Sequence, residues 1–200
     1  MHRRAVVSLW SLPALVLAGV LARPGAVASV VHATARQTTP ATVTYPAGWN
    51  LLGASPGTVL TGAVGPLYTL QPDGATYTSV DPGVVAPEYA QGAGPKAGVG
   101  YWAYFTSATA ISIPFYPTMP QPGAGHGAIP FTIATTVRRW LMIGNPYNTA
   151  VTVDGLPGVY AYVPGEGYVF TTRLEPGQGA FAYSDTGASI LLCPVVVTCS

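Results

Sequence analysis

The feature that most constrains the fold of this chain is an internal repeat. Trp49 and Gly53 recur as Trp140 and Gly144, and the segments that follow them match in the same order along the chain. The matched pairs of segments are 48–53 with 139–144, 67–72 with 159–164, 73–77 with 166–170, and 100–104 with 179–183. Self-similarity at this length predicts two copies of one supersecondary unit.

The repeat fixes the expected organisation of the chain. The first copy covers residues 41–114 and the second covers 131–200, with a leader at 29–40. The first copy carries an insertion at 83–96 whose Gly, Ala and Pro content predicts a surface loop. Residues 115–130 are rich in Pro and Gly and are interpreted as a linker.

Each copy has the composition of β-structure. Its segments are short, rich in Tyr, Val, Thr and Ile, and bounded by Gly, Pro and Asp, which predicts about five strands per copy. Residues 72–74 and 164–167 have turn chemistry and predict two matching hairpins. A lone copy of about 70 residues would be marginally stable. We therefore expect an all-β protein in which the two copies pack through a shared core, as a pseudo-symmetric sandwich or barrel pair.

The aromatic residues at the repeat positions are predicted to be core residues. Trp102 and Tyr104 share one face of a strand because side chains alternate with a period of two. Phe181 and Tyr183 repeat that parity in the second copy, so this face is the one expected to be buried. Large aromatics that recur at matched positions favour packing over binding; they are Trp49, Trp102 and Trp140.

The N-terminus has the pattern of a secretory signal in residues 1–28. Arg3 and Arg4 precede an apolar run, and Ala26-Val27-Ala28 forms a small-x-small cleavage site. The paired arginines leave both the general secretory and the twin-arginine routes open. We expect a secreted or cell-surface protein that has no membrane insertion after processing.

Charge is sparse, and this excludes some functions. Only 8% of residues are charged, and three of the eight basic residues lie in the expected signal. The remainder has five basic residues against seven acidic ones, a balance of −2. Nucleic-acid binding needs a basic surface, so no nucleic-acid partner is expected. The sparse charge also argues against helices with long solvent-facing sides.

The only two cysteines, Cys193 and Cys199, lie close together near the C-terminus. An exported protein can keep a disulfide. In one extended strand, however, six residues span roughly 20 Å, whereas a disulfide needs Cα atoms within about 7 Å. A bridge between these cysteines therefore requires the chain to reverse near Pro194, and the sequence leaves both outcomes open.

Catalytic motifs are weak. Gly53-Ala54-Ser55-Pro56-Gly57 matches the nucleophile-elbow pattern, but Pro56 has no N–H to donate to an oxyanion. His126 lies in a glycine-rich stretch without the metal-ligand or triad partners that a site requires. Of the seven carboxylates, all but Glu88 stand in turn-like sequences. The expectation is a non-enzymatic protein with no cofactor and no metal.

Three tyrosines outside the repeat positions are candidate binding residues. Tyr89, Tyr116 and Tyr147 lie in or beside loops, where their rings could form a stacking platform for a glycan. Isolated exposed aromatics are also common, so the hypothesis needs the three rings to lie together and exposed.

A sequence resemblance agrees with export. The Gly-Trp-Asn-Leu opening at residues 48–51, the Tyr-x-Tyr hairpin segment and the Gly-x-Gly-Tyr-Trp closing at 98–102 resemble β-rich repeat modules of exported bacterial surface proteins. The resemblance covers residues 43–114 and, less closely, 135–194, where Leu141 follows the tryptophan and Phe181 replaces the second one. It implies no activity and no functional residues.

Two functional classes remain from the sequence. The first is a non-catalytic structural or adhesion-type protein of the cell envelope or extracellular space. The alternative is a carbohydrate-binding module that uses exposed aromatics; a hydrolase ranks third because acids and bases are few. A cell-surface or polysaccharide partner fits either of the first two classes. The sequence leaves the ligand and the oligomeric state open.

Overall fold

Short antiparallel strands make up all of the regular structure that can be described. A computed structural model of the chain describes residues 39–116, 131–135 and 138–195. The expected signal at 1–28, most of the leader, most of the linker with His126, and Cys199 lie outside these ranges. Within them no helix occurs, so none is long and apolar enough to cross a membrane.

Fourteen strands follow one another along the described chain. The first six are β1 (Ala41–Tyr45), β2 (Gly48–Leu52), β3 (Leu67–Leu70), β4 (Tyr77–Val80), β5 (Tyr101–Phe105) and β6 (Thr109–Ile113). The other eight are β7 (Phe131–Thr135), β8 (Arg139–Gly144), β9 (Val151–Asp154), β10 (Val159–Val163), β11 (Gly167–Thr171), β12 (Arg173–Leu174), β13 (Gly179–Ser184) and β14 (Ala188–Pro194). The all-β prediction is confirmed, and strands are more numerous than the expected five per copy.

The strands form four sheets. One four-stranded sheet, here called sheet I, has the order β2-β5-β3-β4, and another, sheet II, has the order β8-β13-β10-β11. A third four-stranded sheet has the order β7-β14-β9-β12, and β1 pairs with β6 in a two-stranded sheet. All named strand pairs are antiparallel. The described residues all belong to a single compact unit.

Both predicted hairpins are present. β3 and β4 pair from Leu67 opposite Val80 to Leu70 opposite Tyr77, with the 72–74 turn between them. β10 and β11 pair in the same way around the turn at 164–166. In the first turn Oδ1 of Asp73 accepts hydrogen bonds from the backbone N–H groups of Ala75 and Thr76, at 2.9 and 3.0 Å. These bonds hold the pKa of Asp73 below its ordinary value because they favour the ionised carboxylate.

The segment interpreted from the sequence as an insertion, residues 83–96, is a loop in the structure. It carries no named strand and is tied down by isolated bridges that join Val59 to Val84 and Ala86 to Lys96. Tyr89 is 71% exposed on this loop, whereas Val85 is buried in the core. Val85 and Pro95 are therefore the buried residues that anchor an otherwise surface segment.

Two hydrophobic clusters form the core, one mainly behind sheet I and one mainly behind sheet II. The first contains Leu52, Leu60, Leu67, Tyr101, Ala103, Phe105, Ile111 and Ile113 among its buried residues. The second contains Ile143, Val151, Val153, Val159, Ala161, Leu174, Ala180, Ala182, Ile190 and Leu192. Burial of these side chains is the main favourable term in the stability of the fold.

The predicted buried face of the aromatic strands is wrong. In β5 the buried side chains are those of Tyr101, Ala103 and Phe105, while Trp102 is half-buried and Tyr104 is exposed on the other face. β13 behaves in the same way, with Ala180 and Ala182 inside and Phe181 and Tyr183 outside. Both faces of these strands are apolar, and the alanines allow the core to pack closely against the sheet.

The tryptophans predicted as core residues are also on the outside. Trp49 is 47% and Trp140 is 40% exposed. In β2 the inward position next to Trp49 is taken by Asn50, whose side-chain amide donates to the carbonyls of Pro46 and Gly48, at 3.0 Å each. A buried amide with satisfied hydrogen bonds costs little, so a polar residue faces inward and the larger apolar ring faces outward.

Candidate functional site: an aromatic groove between two sheets

The outward face of sheet I carries paired aromatic rings. Trp49 of β2 lies opposite Tyr104 of β5, with ring centroids 5.3 Å apart in an edge-to-face arrangement. Trp102 of β5 lies opposite Tyr68 of β3, and Tyr68 also contacts Trp49 at a centroid distance of 6.0 Å. Cross-strand aromatic pairs of this kind stabilise a sheet and fix the orientation of each ring.

Sheet II carries a corresponding set on its outward face. Trp140 of β8 lies opposite Tyr183 of β13, with centroids 4.9 Å apart. Tyr160 of β10 lies opposite Phe181 on one side and Phe170 on the other, and its ring is 5.3 Å from that of Phe170. The pairing of these rings again follows the register of the strands, so backbone pairing determines where each ring lies.

The two aromatic faces meet. Trp102 of sheet I is in edge contact with Tyr162 of sheet II, with centroids 4.9 Å apart, and it lies 6.4 Å from Phe181. Between the sheets lies an open depression in two parts, which we call the aromatic groove. The parts have volumes of about 560 and 520 Å³. Such volumes fall within the range of small-molecule binding sites, about 300–1,000 Å³.

The lining of the groove is aromatic and uncharged. The first part is lined by Trp49, Tyr68, Tyr77, Trp102 and Tyr162. The second is lined by Leu70, Gly74, Tyr77, Trp140, Tyr160, Tyr168 and Phe181. No acidic or basic side chain belongs to either set. Monomeric proteins rarely leave so many large apolar rings together at the surface unless they serve as a binding site.

Hydroxyl groups give the groove a polar component. Tyr68, Tyr77, Tyr160, Tyr162 and Tyr168 contribute phenol groups that can both donate and accept hydrogen bonds. Partial burial raises the pKa of Tyr168, and the neighbouring Tyr77 and Tyr162 raise it further. The Tyr168 hydroxyl therefore stays neutral and available as a donor at any physiological pH.

The turn between β3 and β4 closes one side of the groove. A Cβ atom on Gly74 would lie 2.7 Å from the carbonyl oxygen of Trp140, so only glycine fits at this position. The Arg139 guanidinium donates to the carbonyl of Pro72 at 3.1 Å. The turn of sheet I is thus held directly against the first residues of β8, which places Trp140 at the groove.

Four glycines let the two sheets approach backbone to backbone. A Cβ on Gly53 would lie 2.5 Å from the backbone nitrogen of Asn145, and one on Gly144 would lie 2.6 Å from Cα of Gly53. Gly100 and Gly179 approach as closely: a Cβ on Gly100 would lie 2.6 Å from the carbonyl oxygen of Ile143, and one on Gly179 would lie 2.7 Å from that of Leu52. The backbone N–H of Gly53 donates to Gly177 and that of Gly144 donates to Gly98, at 3.0 Å each.

The three tyrosines predicted as a glycan platform do not lie together at an exposed surface. Tyr147 is 4% exposed and belongs to the second core cluster. Tyr116 is half-buried, packs on Tyr147 at 6.1 Å and donates to Glu88 at 3.3 Å. Burial, followed by the Glu88 carboxylate, raises the pKa of Tyr116 to about 12. Only Tyr89 is well exposed.

The residues considered for catalysis have other surroundings. Ser55 is fully buried, and its hydroxyl donates to the carbonyl of Pro114 at 2.7 Å, so it fixes a turn. All seven carboxylate side chains are exposed. Among the described residues no three potential ligands come together as a metal site. Cys193 is disulfide-bonded, and Cys199, the other cysteine of the chain, is outside the described ranges.

A sequence signal for the groove lies in two of the strands that form it. In β5 and β13 both faces are apolar. Tyr101, Ala103 and Phe105 face the core in β5, Ala180 and Ala182 face it in β13, and large aromatics lie on the other face of each strand. In a sheet with a single core, a second apolar face has to be covered or has to bind something. No family model, curated protein or solved structure matches the chain, so the site rests on its own geometry.

Proposed function

We propose that this protein is a non-catalytic, exported adhesion-type protein that binds a neutral glycan in the aromatic groove. The observation that carries the proposal is the groove itself, a continuous uncharged surface of half-exposed Trp and Tyr rings. A pyranose ring has an apolar C–H face and a hydroxyl rim. Aromatic faces and phenol hydroxyls complement both parts of such a ring.

The uncharged lining favours a neutral glycan over other classes of ligand. An anionic ligand needs basic side chains, which are absent from the lining. Exposed tryptophans are the feature that favours sugar binding over a purely structural role, since a scaffold gains most by burying them. Among the described residues the lining also offers no carboxylate, imidazole, thiol or amine, which supports binding without catalysis.

The proposal includes a two-copy architecture. The strands formed by the matched segments of the repeat lie in the same spatial order in sheets I and II. Gly53 and Gly144 are matched residues in contact with each other, and the contact of Gly100 with Ile143 is mirrored by that of Gly179 with Leu52. Reciprocal contacts of this kind are the mark of an approximate twofold arrangement.

Export is the remaining part of the proposal. It rests on the signal pattern of residues 1–28, and the disulfide at Cys193 supports it because disulfides persist in oxidising compartments. N-terminal sequencing of the secreted protein should begin at Ser29. An intact Met1 on membrane-associated protein would contradict this part alone.

Binding to insoluble neutral polysaccharides tests the function. The protein lacking residues 1–28 should be depleted from solution by at least one of cellulose, chitin, β-1,3-glucan or starch, equally at low and high salt. Trp140→Ala should weaken that binding by about 30-fold, because truncating a central aromatic contact typically costs about 2 kcal/mol or more.

Tyr89→Ala is the matched control, since it removes an exposed ring that lies outside the groove. It should bind like the unmodified protein, and all variants should first be shown to melt cooperatively. Absence of binding to all four polysaccharides, or binding that Trp140→Ala leaves intact, would refute the proposed site. Depletion by an acidic polysaccharide that salt abolishes would indicate a charged ligand instead.

A further inference from the structure

The two parts of the groove have matching linings. In the first, Trp49, Tyr68 and Trp102 come from sheet I, and Tyr162 comes from sheet II. In the second, the residues at the matched repeat positions are Trp140, Tyr160, Phe181 and, from the opposite sheet, Leu70. The matched positions in each part are therefore three aromatics of one sheet and one residue of the other. Tyr77 lines both parts in addition, and Gly74 and Tyr168 complete the second.

The two parts adjoin. Tyr77, which is 48% exposed, lines both of them, and the Tyr162 ring that completes the first part is 5.6 Å from Tyr168 of the second. The boundary between them is thus formed by side chains at the groove surface. A ligand that fills one part meets the other without leaving the groove.

We infer that the two parts are subsites for a single glycan chain, which lies across Tyr77 and contacts Trp49 at one end and Trp140 at the other. This inference rests on the proposed function and adds that affinity comes from both subsites together. Stacking on aromatic faces suits such a pair, because a neutral sugar ring presents C–H groups whichever way the chain runs. The uncharged lining again restricts the ligand to neutral chains.

Chain length is the property that distinguishes two linked subsites from one. A short oligosaccharide occupies one subsite and gains nothing from the other. A chain that reaches both binds the second subsite intramolecularly, which raises affinity by about 100-fold or more when the spacing fits. The same linkage fixes the stoichiometry at one long chain per protein.

Isothermal titration with cello-oligosaccharides and chito-oligosaccharides, from disaccharide to octasaccharide, tests the inference. Affinity for the preferred series should rise by about 100-fold between the short and the long members, with one long oligosaccharide bound per protein. Trp49→Ala and Trp140→Ala should each remove this length gain and leave binding of the short members at the remaining subsite. Tyr77→Ala should weaken binding of the short and the long members alike, because Tyr77 lines both subsites, and Tyr89→Ala should change nothing.

Two outcomes separate a failure of the inference from a failure of the proposed function. If two long chains bind per protein, or if affinity is independent of length, the subsites are separate and the inference is wrong while glycan binding stands. If neither these oligosaccharides nor the insoluble polysaccharides bind, both are wrong. A proline-rich peptide that binds in the groove would overturn both as well, since such peptides also use aromatic-lined grooves.

Discussion

Gly53→Ala is expected to destabilise the protein by at least about 3 kcal/mol, an unusually large effect for the addition of one methyl group. The new Cβ would meet backbone atoms of Gly144 and Asn145, which have no rotamer through which to move away. Relief requires the two sheets to separate, and this would also stretch the hydrogen bond from Gly53 to Gly177. Urea denaturation of the variant measures the loss directly.

Gly83→Ala is the control for this substitution. Gly83 has no atom within 4 Å of an added Cβ and does not need a left-handed backbone. Its replacement should change stability by no more than about 1 kcal/mol, in either direction. Gly144→Ala should reproduce the loss seen for Gly53, because the two residues meet each other. A Gly53→Ala protein as stable as the unmodified one would show that the sheets do not approach as described.

Phe105→Ala should cost about 3–5 kcal/mol, which is the usual range for a buried aromatic replaced by alanine. Phe105 is 1% exposed and stacks on Tyr45, with ring centroids 5.5 Å apart. For a chain of this size the loss corresponds to a fall of about 10 °C in Tm. Differential scanning calorimetry provides the measurement.

The neighbouring residue supplies the matched comparison. Tyr104 precedes Phe105 in β5 and points to the opposite face, where it is 38% exposed. Tyr104→Ala should cost about 1 kcal/mol or less, mainly the contact with Trp49. Equal losses for the two variants would contradict the assignment of the inner and outer faces of β5.

Local sequence signals predicted the strand-forming class and the hairpins well. The Pro72-Asp73-Gly74 turn was predictable because Asp can accept hydrogen bonds from its own following backbone and Gly tolerates positive φ, which is 68° at Gly74. Such preferences depend on a few adjacent residues, and tertiary packing did not override them here. The β-rich composition gave the all-β class for the same reason.

The face of each strand was harder to predict. Periodicity groups Trp102 with Tyr104 and Tyr101 with Phe105, but it does not say which group faces the core when both are apolar. The answer depends on Ala103 and on the buried side-chain amide of Asn50, which let the core pack closely. It also depends on sheet II, whose Tyr162 covers part of the aromatic face of sheet I. The groove follows from that pairing of distant segments, so it was not predictable from either half of the chain alone.

The backbone contacts at Gly53, Gly100, Gly144 and Gly179 have a consequence for how a ligand would bind. Because main chain rests on main chain at these four positions, the two sheets have no side chain there that could change rotamer and let them shift. The rings are also held by their neighbours across the strands. A ligand would therefore enter a preorganised surface and would pay little conformational entropy on the protein side, so most of the contact energy would remain available as affinity.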